Sequence, residues 1–157
     1  MNKTYQQFLK ENSGKTAVYT FGRFNPPTIG HEKLLRVIQT TSSNEGGDYF
    51  IYTSHSQDSK KNPLTHKQTI HFLKLIFPKH RPYVEDSLAK TALHAASDIY
   101  DKGGYTKLMM VVGSDRVRDF SALLNRYNDS KSKHGYYNFD SIEVVSAGER
   151  DPDAEGA

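Results

Sequence analysis

The sequence predicts an α/β fold, a doubly wound, five-stranded parallel sheet with helices on both faces. Three observations carry that expectation. Short apolar runs alternate with helical patterns along most of the chain, the order that builds β–α units around a parallel sheet. Most of those runs are continuously apolar, as in strands covered on both faces. The length, 157 residues with ten tyrosines and eight phenylalanines, fits a single domain with a real core.

The elements follow in order. Residues 1–15, MNKTYQQFLKENSGK, read as a short helical extension with Tyr5, Phe8 and Leu9 along its apolar edge. The strands are TAVYTF (16–21), DYFIYTS (48–54), RPYVED (81–86), KLMMVV (107–112) and SIEVVSA (141–147). Between them, His31, Leu34, Leu35 and Ile38 share one face at helical spacing. Ile70, Leu73 and Phe77 repeat the pattern until Pro78 ends it. Leu88, Ala92, Ala95, Ala96 and Ile99 form a third helix closed by Gly103-Gly104, and Val117, Phe120, Leu123 and Leu124 a fourth. Residues 128–139, NDSKSKHGYYNF, read as a polar excursion whose aromatic end, 136–139, serves either the core or a subunit interface, so a homo-oligomer stays open. Residues 16–147 make one domain, and the acidic end, 148–157, is expected to be disordered.

Composition removes several function classes. The absence of cysteine excludes disulfides, thiolate zinc sites and cysteine nucleophiles, and fits a cytoplasmic protein. No apolar run approaches the roughly 20 residues of a membrane helix, and the N-terminus has no signal-peptide core. The net charge of +3 favours anionic ligands. The basic residues form no dense stripe interleaved with aromatics, which argues against nucleic acid.

The chemistry concentrates in GRFNPPTIGH (22–31), between the first strand and the first helix. Ligands of open parallel sheets bind outside the carboxyl ends of the strands, near a topological switch point. Gly22 lets the chain turn sharply and Pro26-Pro27 stiffen the loop. Gly30 leaves the helix start bare for an anion. Thr28 offers a hydroxyl and His31 an imidazole. Each has an ordinary alternative: His31 as a buried core histidine, Thr28 as a helix cap, and the glycines and prolines as turn punctuation. Their convergence within ten residues favours a site.

GRFNPPTIGH resembles the signature of the nucleotidyltransferase superfamily with the [HT]-x-G-H motif, the cytidylyltransferase-like proteins. The form G-R-F-x-P-x-x-x-G-H is most similar to archaeal-type nicotinamide-mononucleotide adenylyltransferases, with Thr28 at the position that is often His. A second element, Lys60-Lys61-Asn62-Pro63-Leu64-Thr65, is similar to the N-P-[FL]-[ST] that opens a helix in those enzymes; Thr65 would cap the helix and the lysines would face phosphates, or the piece is a solvated basic loop. A third, Val111-Val112-Gly113-Ser114-Asp115-Arg116, resembles the family's strand-end G-[SA]-D near the adenosine. There Gly113 would allow close approach, and Ser114 or Asp115 would cap the next helix, with or without a ligand.

The resemblance implies a Rossmann-like sheet and transfer of a nucleoside monophosphate from ATP or CTP to a small phosphate-bearing acceptor, pyrophosphate leaving. Such catalysis rests on positioning and electrostatics. His31 would hydrogen-bond the α-phosphate and Thr28 the neighbouring one, as the catalytic pair. Backbone N–H groups of Gly22, Arg23, Phe24 and Asn25, with Gly30, would cradle the triphosphate, and Arg23, Lys60, Lys61 and Arg116 would be further phosphate partners. Mg²⁺ would be bound through the triphosphate, with no protein ligands assigned. The family's second clamp, S-[ST]-[ST]-x-x-R after the fifth strand, has no counterpart in AGERDPDAEGA; Ser130-Lys131-Ser132-Lys133 precedes the last strand. The chain is thus expected to be a piece of a longer protein or a minimal domain, and the alternative to an enzyme is a nucleotide-binding or structural module of the same fold.

Overall fold

The computed structural model describes residues 14–58 and 60–148. The expected N-terminal helix and acidic tail therefore fall outside the described residues, apart from Gly14, Lys15, which opens the first strand, and Gly148. Four parallel strands, β1 (Lys15–Gly22), β2 (Asp48–Thr53), β3 (Tyr105–Val112) and β4 (Ser141–Ser146), form one sheet in the order β2-β1-β3-β4. Among the described residues, four α-helices follow: α1 (Glu32–Glu45), α2 (His66–Ile76), α3 (Ala92–Lys102) and α4 (Val117–Arg126). None is long and apolar enough to cross a membrane.

The sheet is covered on both faces, and the strand residues alternate between two cores. Ala17 and Tyr19 of β1, with Leu108 and Met110 of β3, pack with Ala92, Ala95, Ala96 and Ile99 of α3 and Leu124 of α4. Val18, Met109 and Val111 face the other way, onto Leu35 and Ile38 of α1 and Ile70 and Leu73 of α2. The period of two in side-chain direction explains why the strands read as continuous apolar runs. Tyr137 and Phe139 are almost fully buried in the first core, so these two residues of the excursion are core residues.

Two expectations need correction. The sheet has four strands, since RPYVED does not extend. Pro78–Tyr83 forms 3₁₀ turns, and Val84 makes a single parallel bridge to Ile51, followed by the Glu85 amide donating to the Ile51 carbonyl at 2.8 Å. Pro82 has no N–H and a fixed φ, so a ladder cannot run through it. Val84 still delivers its side chain to the core. Leu88 does not belong to the third helix: Thr91 caps that helix, its hydroxyl accepting from the His94 amide, and Leu88 is 83% exposed in the preceding loop.

Candidate functional site

The chain leaves β1 for β2 on one side and reaches β3 on the other, so the topological switch point lies between β1 and β3. Their ladder ends at Tyr19–Met110, although the strands run on to Gly22 and Val112. Beyond that pair the Thr20 hydroxyl donates to the Val111 carbonyl at 3.0 Å. A cleft of about 350 Å³ opens at this end. Its walls come from the ends of β1 and β3, from Gly30 and His31, from Ser54 after β2, and from Ala147 and Gly148 after β4.

The loop after β1 is folded around one aromatic ring. Phe24 takes φ 45°, a left-handed conformation that costs a non-glycine residue about 1–3 kcal/mol, and its ring is fully buried. That ring lies against the preceding turn: a Cβ on Gly22 would meet Phe24 Cε2 at 2.9 Å, so glycine is required by close approach. Phe24 then meets His31 edge-on, ring centroids 4.8 Å apart.

His31 is 2% exposed, lines the cleft, and is held by the turn that precedes it. The Thr28 backbone N–H donates to Nδ1 at 2.9 Å. Nδ1 is therefore an acceptor, and the neutral ring carries its proton on Nε2. Burial lowers the histidine from its usual 6.5 to about 4, so at neutral pH the ring is an uncharged donor. Nε2 is buried and finds no hydrogen-bond partner among the described residues. Thr28 itself is not among the cleft-lining residues; with its hydroxyl 3.3 Å from Nδ1, it positions His31.

The other candidates divide. Gly22, Arg23, Phe24, Gly30, Gly113 and Arg116 line the cleft together with His31. Asn25 is buried behind it: its amide donates to the Ser56 and Leu64 carbonyls at 3.1 and 2.7 Å and accepts from the Leu64 N–H at 2.8 Å. It ties the loop after β1 to the loop after β2. Lys60 and Lys61 are exposed and do not reach the cleft wall. Asp58 organises their loop, accepting from the backbone N–H groups of Lys60, Lys61 and Asn62. These bonds lower its carboxyl to about 2. Thr65 caps α2 as expected, accepting from the Gln68 amide at 3.2 Å. Ser114 and Asp115 lie in an exposed 3₁₀ turn beside the cleft, and the Ser114 amide donates to the Gly148 carbonyl at 3.1 Å.

Lys33 and Ser54 line the cleft and were not singled out from sequence. Lys33 lies two residues past His31, and its Nζ rests against Gly148, where an added Cβ would meet it at 2.7 Å. The motif register marked His31 and gave no reason to look two residues on. Ser54 carries no motif at all. Among the described residues, the lining holds Arg23, Lys33 and Arg116 and no carboxylate, a positive local field that suits an anion. Among the described residues, no three His, Asp or Glu side chains converge to hold a metal. The described lining offers no carboxylate as a metal ligand, so a hard divalent cation there would need oxygen ligands from another source, such as a bound phosphate.

Fold and site together define an α/β protein with a cleft at the carboxyl ends of its parallel strands, lined by three cationic side chains. A cytidylyltransferase-like family model matches residues 19–146, most of the chain, and the chain belongs to that family. No curated protein matches the sequence.

Proposed function

We propose that this chain is a nucleotidyltransferase that transfers the nucleoside monophosphate of ATP or CTP to a small phosphate-bearing acceptor and releases pyrophosphate. Nicotinamide mononucleotide is the acceptor that the motif resemblance favours. An acceptor phosphate oxygen forms a bond to the α-phosphorus, the α–β bridging P–O bond breaks, and pyrophosphate leaves with the electron pair. The observation that carries this reading is His31: a neutral Nε2–H donor without a partner among the described residues, fixed by Thr28 and Phe24, in a cleft whose described lining has three cations and no carboxylate.

Within that reading His31 donates to an α-phosphate oxygen as negative charge grows there, and it keeps its proton throughout. Arg23, Lys33 and Arg116 offset the charge of the triphosphate through charge-assisted hydrogen bonds. Gly113 and Gly148 let the nucleoside approach the backbone at the β3 and β4 ends. A magnesium ion carried on the phosphates would neutralise charge on the leaving pyrophosphate. The test is pyrophosphate release from ATP or CTP with magnesium and nicotinamide mononucleotide or related phosphomonoesters. Release that disappears in His31→Ala supports the proposal; release that is unchanged by this substitution defeats it. Tight nucleotide binding with no release for any acceptor would leave a nucleotide-binding module.

A further inference from the structure

Four buried side-chain atoms find no hydrogen-bond partner among the described residues: His31 Nε2, Ser54 Oγ, Asn62 Oδ1 and His66 Nε2. His31 and Ser54 line the same cleft. A buried hydroxyl without a partner costs free energy that a bound ligand can recover.

The other polar groups of Ser54 are satisfied and held. Its backbone N–H donates to the Gly22 carbonyl at 2.8 Å, one residue past the last β1–β2 pair, Gly22–Thr53. Its carbonyl accepts from the Thr53 hydroxyl at 3.3 Å, and that hydroxyl lies 3.0 Å from His66 Nδ1. The His66 ring stacks on His55 with centroids 3.7 Å apart, and His55 Nε2 is 2.9 Å from the Ser87 carbonyl. Three segments of chain therefore brace one serine whose hydroxyl is its open group. A donor fixed in advance by its surroundings is what a substrate contact needs.

We infer that the Ser54 hydroxyl is a substrate contact, donating a hydrogen bond to a phosphate oxygen alongside His31. The chemistry of the cleft selects the acceptor atom, because its described lining carries three cations and no carboxylate, which favours an anion. The assignment rests on the nucleotidyltransferase reading, and the phosphate belongs either to the triphosphate or to the acceptor.

Ser54→Ala tests it. The hydroxyl makes no bond among the described residues, so the melting temperature of the free variant stays level or rises slightly. Binding then weakens by about tenfold, the value of one hydrogen bond to a charged group. If the phosphate is the triphosphate's, calorimetry shows the loss in Kd for ATP, CTP and inorganic tripolyphosphate. If it is the acceptor's, the KM for nicotinamide mononucleotide rises while the nucleotide Kd holds. Either pattern supports the contact. A free variant that melts several degrees lower, or affinities for all these probes within twofold of wild type, overturns it. The two readings fail separately. A tripolyphosphate effect without pyrophosphate release removes the enzyme and keeps the contact; an active enzyme indifferent to Ser54→Ala does the reverse.

Discussion

The two ends of the sheet are built from the same four strands and treat their polar groups in opposite ways. At the amino ends, charge is matched by charge. Lys15 pairs with Asp48 at 3.0 Å, the Tyr105 hydroxyl donates to the same carboxylate at 2.6 Å, and Lys107 sits between Glu45 and Glu143 at 2.9 and 3.5 Å. At the carboxyl ends, the cleft gathers cations without carboxylates and leaves two buried polar atoms without a hydrogen-bond partner among the described residues. The amino end completes itself; the carboxyl end leaves groups open. The difference teaches that two of the four buried polar atoms left without a hydrogen-bond partner among the described residues, His31 Nε2 and Ser54 Oγ, belong to residues that line one cleft at the carboxyl end of the sheet.

The strongest way to break that contrast is to remove the best-placed open donor. His31→Ala should lower the rate of pyrophosphate release by about 10²–10³-fold, the usual cost of losing one preorganised donor. Circular dichroism should show the fold intact. Next comes Asn25→Ala, which strips three hydrogen bonds from a side chain that is 4% exposed. Urea denaturation should show a loss of about 2–4 kcal/mol. A smaller loss would mean that the loops after β1 and β2 hold their places without this clamp.

Acidification should separate the two ends. Between pH 6.5 and about 4, a histidine in the unfolded chain takes up a proton while His31 stays neutral. The unfolded state then binds more protons, so stability falls as pH drops through that window and is fully present above it. His66 and His80, also lowered chiefly by burial, act in the same direction. The share of His31 is therefore the difference between wild type and His31→Gln in denaturation curves across that range. At the amino end, the Tyr105 hydroxyl, and after it Lys15, hold Asp48 below its usual 3.8. Its contribution is present above that value and fades only as pH falls below it. The smallest effect is expected from Asp48→Asn. Both partners of its ion pair are more than two-fifths exposed, so stability should fall by under about 1 kcal/mol. Nucleotide affinity should not change; a change would show that the two ends are coupled.

Much of this architecture was legible in the chain. The apolar runs of β1, β2, β3 and β4 fall where expected; in β1 and β3 the reason is burial on both faces, while β4 keeps its apolar core residue Val144 among exposed polar ones. RPYVED misled because its composition suits a strand while Pro82 removes a donor, a local veto that an apolar run conceals. Leu88 fitted the α3 spacing but lies ahead of the Thr91 cap. At the site, GRFNPPTIGH pointed to Gly22, Arg23, Phe24, Gly30 and His31 as a group, and the strand-end Gly113 and Arg116 join them in the cleft. The lysines at 60 and 61 fitted phosphate chemistry equally well by sequence. Asp58, which captures their backbone, holds them in an exposed loop away from the cleft wall.

By itself, the sequence determined the alternation of strand and helix and the turn that carries His31, because both are written in local spacing. Tertiary structure decided which groups that turn would meet. Thr28 became the support for an imidazole. Asn25 became a clamp between two loops, and Lys33 a wall of the cleft. Ser54 acquired a role when the end of β2 came to lie beside Gly22. A hydrogen bond left open is a property of everything packed around an atom, and packing joins residues that spacing along the chain keeps apart.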